Sequence, residues 1–468
     1  MMMMMMILLF NCKKNYILFN AQIDLSTLRQ LVAERGVRYY PRLKNRVVYA
    51  SDEPYWDPVD FRIENHVKLA SLRDPYALID ETQFREYLHQ ILGRPLDENL
   101  PMWEFHLIQN YQVNQSAIIF RIHHCYADGL ALVGFLLDLV DNRKSIKLPF
   151  DSFASKVASP TTITANNNNN NNHNNHNNNN NNNSEEKRHH GQEKEHHTKA
   201  HAKPAAVGFK WPPFWKLLVN QLLFPIGLIR RTIAKPDRNK LHIPGRKLHG
   251  TLRVAWTERI GIERIKKLKQ QANVSFNDIL LACLSGAFRR YFQHRKQAVI
   301  EDVHLNMSMS MRPSHEEKIL NNKFTVILVT LPVGEADPRR RLQRISQLMD
   351  GLKLSPEPLG TYLIEHILIK CPTKLTKWLL NDMADKTTIT CSNVPGPTTP
   401  LYFGGRQIYD LLYFVPSLGT IGVGCSLLSY NGGVRMAVNI DSSLCEDPRL
   451  LVAGFMAEVD ELYRLYVC

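Results

Sequence analysis

Residues 166–183 are asparagine except for His173 and His176, and the run continues into SEEKRHHGQEKEHHTKAHAK. A tract of this kind has no apolar surface to bury, so it is expected to be disordered and outside any core. Whatever folds must be assembled from the sequence on either side of it. The chain therefore divides into residues 1–150, an Asn/His-rich insertion over 151–208, a hydrophobic and basic segment over 209–244, and a C-terminal part over 245–468. With 468 residues, 44% of them hydrophobic, the flanks can bury more than one ordinary core, and two lobes are expected.

Apolar spacing in the flanks predicts mixed elements. LSTLRQLVAERG and DPYALIDETQFREYLHQIL have helical spacing, the second with Asp74 as its expected cap and Pro75 at the first helical position. SAIIFRI reads as a buried strand and GLALVGFLLDLV as a helix. Beyond residue 245, VSFNDILLACLSGAFRRYFQHR reads as a helix, KFTVILVTLPV as a strand and PRRRLQRISQLMDGLK as a helix. TIGVGCSLLSYNGGVRMAVNID reads as a hairpin turning at Asn431-Gly432-Gly433. DPRLLVAGFMAEVDELYRLY closes the chain as an amphipathic helix. The alternation predicts mixed α/β lobes.

A formal charge of +14 points to an anionic partner: nucleic acid, anionic lipid or a phosphate-bearing cofactor. No RNP, zinc-finger or helix-turn-helix pattern accompanies the charge, which counts against nucleic acid. The cysteines are scattered without a CxxC pair, so the sequence suggests neither a disulfide framework nor a zinc knuckle, and reduced thiols on the cytosolic side are expected. The opening MMMMMMILLFNCKKNY has no basic region before its short apolar run and makes a poor signal peptide. Its methionines read as an irregular chain start rather than a designed element. In FKWPPFWKLLVNQLLFPIGLIRRTIAK (209–235), the apolar run between Lys216 and Arg230 is broken by Pro225. It falls short of the roughly 20 apolar residues that span a bilayer. Trp211 and Trp215 before it, with Arg230, Arg231 and Lys235 after it, favour attachment at a membrane interface. A helix pair linking the two lobes is the alternative.

The stretch AIIFRIHHCYADGLALVGFLLDLVD (117–141) carries the candidate chemistry. If the strand persists to its end, Ile118, Phe120, Ile122 and His124 share one face, and Ile119, Arg121 and His123 the other. The two imidazoles are then expected to point opposite ways. Asp128 stands where a helix N-cap would, and Gly129 permits close backbone approach. No third ligand at metal-site spacing accompanies the pair, so no metal is expected. Cys125 lacks a separate Cys-His-Asn pattern and makes a poor nucleophile. Two readings remain: a packed histidine pair before an ordinary cap, or a general base held at a strand end.

His123-His124-Cys125-Tyr126-Ala127-Asp128-Gly129 is an HHxxxDG sequence. In this the chain resembles acyltransferases of the chloramphenicol-acetyltransferase-like fold. Other segments narrow the resemblance to the wax ester synthase/diacylglycerol acyltransferase family: RPLDENLPMWEFHLI (94–108), FNDILLACLSGAFRRYF (276–292), MSMSMRP (307–313), NNKFTVILVTLPVGEADPRRRLQRI (321–345), SNVPGPTTPLYFGGRQI (392–408) and SYNGGVRMAVNID. The resemblance covers most of residues 20–465 outside the insertion. It implies an α/β fold of two lobes with mixed sheets and a tunnel between them. Two departures stand out. The family segment that precedes YILFNAQIDLSTLRQL is absent or replaced by methionines, and the family's Pro-Leu-Trp is Pro101-Met102-Trp103, a volume-conserving exchange.

By resemblance, His124 is the general base that takes a proton from an alcohol as its oxygen attacks an acyl-CoA thioester. Asp128 is implied to hold the loop through an arginine, with Arg312 of MSMSMRP as its partner from the other lobe. His123 is expected to shape the turn, with Gly129 opening the helix behind it. Asn277 and Asp278 are expected either to support the tunnel or to cap their helix. Pro101 and Trp103 are expected to be structural, and Pro395, Gly396 and Pro397 to form a rigid crossover. No cofactor is implied beyond acyl-CoA as co-substrate. The implied acceptors are fatty alcohol or diacylglycerol, giving wax ester or triacylglycerol, and no nucleic acid is involved. The expected location is the cytosolic face of a membrane, endoplasmic reticulum or lipid droplet. The alternatives are another HHxxxDG transferase with a different acceptor or a carrier-bound donor, and a catalytically silent lipid-binding protein.

Overall fold

The computed structural model describes residues 3–11, 23–50, 53–72, 74, 77–112, 115–146, 234–312, 320–355, 357–368, 371–416 and 419–468. The insertion over 151–208 and the interfacial segment up to residue 233 lie outside the described residues.

In chain order the first half contributes β1 (Met3–Asn11), α1 (Leu25–Leu31), β2 (Asn45–Ala50), β3 (Glu53–Pro58), β4 (Val67–Leu69), α2 (Glu81–Leu92), β5 (Trp103–Ile108), β6 (Gln115–His123) and α3 (Gly129–Leu139). The second half begins with β7 (Leu252–Trp256), β8 (Ile260–Gly261), α4 (Ile262–Ala272), α5 (Phe276–His294), β9 (Val303–Ser310), β10 (Phe324–Leu331) and α6 (Pro338–Leu354). It continues with α7 (Glu357–Leu368), α8 (Thr373–Asp385), β11 (Ile389–Pro395), β12 (Tyr402–Phe403), β13 (Arg406–Phe414), β14 (Val423–Tyr430), β15 (Gly433–Asp441) and α9 (Arg449–Tyr466).

Two sheets organise these elements. The first runs β12-β13-β1-β6-β5-β4 and the second β10-β9-β11-β14-β15-β7, with β8 also on β15. Both are mixed. β4 pairs in parallel with β5, and β11 in parallel with both β9 and β14. β12 and β13 come late in the chain yet complete the first sheet, so the division near residue 245 separates stretches of chain rather than sheets.

Local chemistry explains most boundaries. At Asn431 and Gly432 the backbone has φ of 44° and 78°. This two-residue turn with both φ positive matches the right-handed twist of β14 and β15. α6 opens with Pro338 behind Asp337, whose carboxylate accepts from the Arg340 N–H at 2.9 Å. Two expectations need correction here. α2 begins at Glu81, not behind Asp74, because Ile79 is held in a strand-like bridge to Tyr111 and Asp80 forms a reciprocal capping box with Gln83. The opening segment, read as no element of the fold, contributes one: Met3–Asn11 is the strand between β6 and β13. Backbone pairing on both sides, which composition does not reveal, fixes it there.

Each sheet carries its own core. In the second half, Leu280, Leu284 and Phe288 of α5 pack with Leu451, Phe455 and Val459 of α9. Inside this layer Glu458 receives Arg341 Nη2 at 2.5 Å and Arg290 Nε at 2.6 Å. Gly286 makes room for that carboxylate: a Cβ there would lie 2.2 Å from Glu458 Cδ. Gly286→Ala is therefore expected to lower stability by about 1–3 kcal/mol through overpacking, read as a fall in the urea midpoint at unchanged slope. A third cluster joins the halves, where Trp256 of β7 lies between Phe84 of α2 and Phe414 of β13, with ring centroids 6.2 and 6.5 Å away.

Candidate active site

β6 delivers the histidine pair. Its strand hydrogen bonding ends at His123, and His124 already lies in the following turn. The alternation argument therefore does not carry through to His124: the turn, not strand parity, sets the direction of its ring. β6 is also buried along both faces rather than alternately, as expected for an inner strand covered on each side. The His123 N–H donates to the Met102 carbonyl at 2.9 Å, and the Cys125 N–H donates to His123 Nδ1 at 3.3 Å. That second bond leaves Nδ1 as an acceptor, so the neutral ring of His123 carries its proton on Nε2. Tyr126, fully buried, donates to the Asn45 carbonyl at 2.6 Å and receives the Met102 N–H at 3.2 Å. The turn is thus pinned to the segment 101–103.

Asp128 anchors the other end of the turn. It is 4% exposed and has the extended backbone of an N-cap, and its Oδ1 accepts from the Ala131 N–H at 2.9 Å. Its Oδ2 accepts from Arg312 Nη2 at 3.0 Å and from the Lys323 N–H at 2.8 Å. Arg312 Nη2 also donates to the carbonyl and side-chain oxygens of Asn321, at 2.9 and 2.7 Å. Beside it, Asn322 Nδ2 donates to the His124 carbonyl at 2.8 Å. The Phe324 ring, at the start of β10, lies 5.1 Å from the His124 ring. Arg312, Asn321, Asn322, Lys323 and Phe324 all belong to the second half, so both ends of the HHxxxDG turn are held across the junction of the lobes.

Burial governs the protonation of both imidazoles. The His124 ring is half-buried. Desolvation lowers its proton affinity below that of an ordinary imidazole, and the Asp128 carboxylate offsets this only in part. Burial also lowers His123, to about 4. Both rings are neutral near pH 7. A neutral, partly accessible His124 can accept a proton from a hydroxyl, whereas His123 is committed to the turn.

Other candidate residues surround this turn. Gly129, Val133 and Leu136 of α3 line a narrow apolar cleft with Val394, Gly396 and Leu428 of the second half. Gly396 is required by close approach: its N–H donates to the Ser429 carbonyl at 2.9 Å, and a Cβ would stand 2.3 Å from that oxygen. Asn277 Oδ1 accepts from Asn393 Nδ2 at 2.7 Å and so ties α5 to β11. Asp278 forms the capping box of α5 with Ser275. The Trp103 indole donates to the Leu43 carbonyl at 2.8 Å and stacks on His66 with centroids 4.4 Å apart. The Pro101 carbonyl accepts from the Trp103 N–H at 2.8 Å. Pro101 and Trp103 support the segment on which His123 and Tyr126 rest. No cluster of three metal-ligating side chains occurs among the described residues.

Comparison with known proteins decides the family. Residues 12–178 match the wax ester synthase/diacylglycerol acyltransferase catalytic domain, and residues 320–463 match the WS/DGAT C-terminal domain. The chain belongs to the wax ester synthase/diacylglycerol acyltransferase family. The Mycobacterium tuberculosis protein called "Probable diacyglycerol O-acyltransferase" is 23% identical over 445 residues, covering 92% of this chain and 85% of that one. The wax ester synthase/diacylglycerol acyltransferase structure from Marinobacter aquaeolei VT8 superposes with a TM-score of 0.62 at 18% identity, covering 100% of this chain and 95% of that one. The first condensation domain of the CDA synthetase superposes with a TM-score of 0.54 at 14% identity, covering 99% of this chain and 90% of that one. These neighbours establish the two-lobed chloramphenicol-acetyltransferase-like fold.

Asn321, Asn322, Phe324 and Asn393 were not singled out by sequence reasoning. The signal for the first three was weak but present: an Asn-Asn-Lys pair-and-cation directly before a strongly apolar strand, where polar side chains have backbone groups to satisfy.

Proposed function

We propose that the protein transfers a long-chain acyl group from acyl-CoA to the hydroxyl of a fatty alcohol or diacylglycerol. His124 removes the hydroxyl proton as the oxygen bonds to the thioester carbonyl carbon. Collapse of the tetrahedral adduct breaks the carbon–sulfur bond, and the imidazolium returns its proton to the departing thiolate. No acyl-enzyme forms, and no cofactor beyond the co-substrate takes part. The observation that carries this reading is the neutral, partly accessible His124 ring on a turn gripped by both lobes. The proposed location is the cytosolic face of a membrane, supported by the lipid character of such acceptors and the formal charge of +14.

The test is direct. Purified protein receives labelled palmitoyl-CoA with either hexadecanol or diacylglycerol, and His124→Ala runs alongside. Labelled ester that depends on His124 supports the proposal, and the mixture that yields it identifies the acceptor. Equal ester from both proteins removes His124 from the chemistry. Hydrolysis alone, with no ester from either acceptor, removes the transferase reading.

A further inference from the structure

Helices α7 and α8 carry an apolar surface that the proposed chemistry does not use. On α7, Leu363 is 54% and Ile367 63% exposed; on α8, Leu375 is 44% and Trp378 63% exposed. Each pair has the i,i+3 or i,i+4 spacing that places two side chains on one helical face. The start of α8 is tied to the end of α7, because Thr376 Oγ1 donates to the Leu368 carbonyl at 2.8 Å. Scattered exposed apolar residues are ordinary, but two such pairs on consecutive helices mark an interaction surface.

Charge identifies the partner. Lys374 and Lys377 are exposed beside Leu375 and Trp378. Carboxylates of the two helices are already engaged. Glu365 Oε1 accepts from the Val326 N–H at 3.2 Å, Asp382 pairs with Lys386 at 2.7 Å, and Asp385 accepts from Thr420 Oγ1 at 2.7 Å. The outward surface includes aliphatic side chains, one indole and two ammonium groups, together with the polar His366 and Asn381. This set suits the boundary between acyl chains and anionic headgroups, where tryptophan partitions and lysine finds counter-charge.

Position links the surface to the chemistry. β10 is an edge strand. Its first residue, Phe324, holds its ring against His124, and two residues along, about 7 Å in an extended chain, Glu365 of α7 caps its open N–H. α7 therefore lies along the strand that borders the candidate base. We propose that the consecutive helices α7 and α8 dock the protein on an anionic bilayer, so that an acceptor dissolved in that bilayer enters beside His124. The docking stands on the surface alone, and the delivery of acceptor rests on the proposed function.

Flotation of the full chain with phosphatidylcholine/phosphatidylglycerol vesicles tests the docking. The double variant Ile367→Asp/Trp378→Asp should partition to vesicles about tenfold less or weaker still, because two apolar side chains no longer enter lipid. Esterification of hexadecanol held in those vesicles should fall in parallel, while esterification of water-soluble hexanol stays at the wild-type rate. Trp378→Phe should float like wild type. Since the double variant could fail to fold, a second measurement uses lipids brominated on their acyl chains: they should quench the share of emission that Trp378→Phe lacks. Undiminished flotation of the double variant overturns the proposal, as does an absence of quenching at Trp378. A wild-type dimer that the double variant splits without loss of flotation overturns it in favour of a second copy. His124→Ala that floats normally but makes no ester separates docking from chemistry, and wild-type protein that floats without making ester leaves docking in place while removing the proposed function.

Discussion

His124→Ala is expected to lower ester formation by about 10²- to 10⁴-fold, the usual worth of a positioned general base, while acyl-CoA binding changes little. The expectation rests on position as much as identity. The ring is carried on a turn whose ends are fixed by Asp128 and by the Asn322 bond to the His124 carbonyl. A neutral imidazole there waits in the correct state. Its proton affinity is lowered by burial, so the acidic limb of kcat/KM should fall below the ordinary imidazole value of 6.5. The sign follows from the role: a base works only when unprotonated, so a lowered pKa extends activity to lower pH and acidification removes it. Stability moves the same way. In the window between about 4 and 6.5 the unfolded chain protonates His123 and the folded chain does not, so stability present above that window is lost as pH falls through it. Initial rates after brief exposure to each pH, followed by return to neutrality, distinguish titration of the base from unfolding. An acidic limb above 6.5 would argue for a different base.

Asp128→Ala is expected to cost roughly 3–5 kcal/mol of stability, because it leaves the Arg312 guanidinium buried without its carboxylate and removes the cap of α3. The carboxylate meets three donors from two distant parts of the chain, the Ala131 and Lys323 N–H groups and Arg312. A double-mutant cycle separates the contributions. Arg312→Met in the Asp128→Ala background should recover part of the loss, since no buried charge then remains, whereas the lost cap should persist. Urea unfolding measures both. Losses that simply add would mean that the two side chains act independently, contrary to the geometry.

How far the sequence could be read follows from the range of each interaction. The Asn431–Gly432 turn, the Pro338 helix start and the buried strand before the histidines were legible because each depends on neighbours within a few residues. HHxxxDG was legible as a pattern, but the direction of the His124 ring was not. It depends on where β6 stops, and that is decided by Met102, Tyr126 and Asn322. Arg312 stands 184 residues from Asp128, and only the resemblance, not spacing, could suggest the pair. Asp80 displaced Asp74 as the cap of α2 because a bridge to Tyr111 straightened the chain between them. β1 was not read as a strand because its place is set by β6 and β13, partners more than a hundred and about four hundred residues further along the chain. The exposed pairs on α7 and α8 were invisible for a related reason: an amphipathic pattern reports that a helix has an apolar face, not whether that face is covered.

The position of β1 between β6 and β13 has a consequence for biogenesis. Ile7 faces Ile119 on one side and Leu412 on the other, so the first sheet draws on strands separated by nearly the whole polypeptide. A nascent chain emerging from the ribosome cannot close that sheet until the stretch after residue 406 has been synthesised, and an edge of β1 stays unpaired meanwhile. Contacts this distant in sequence slow folding. The halves are therefore expected to fail as separately expressed modules, and chaperone demand should persist until late in translation.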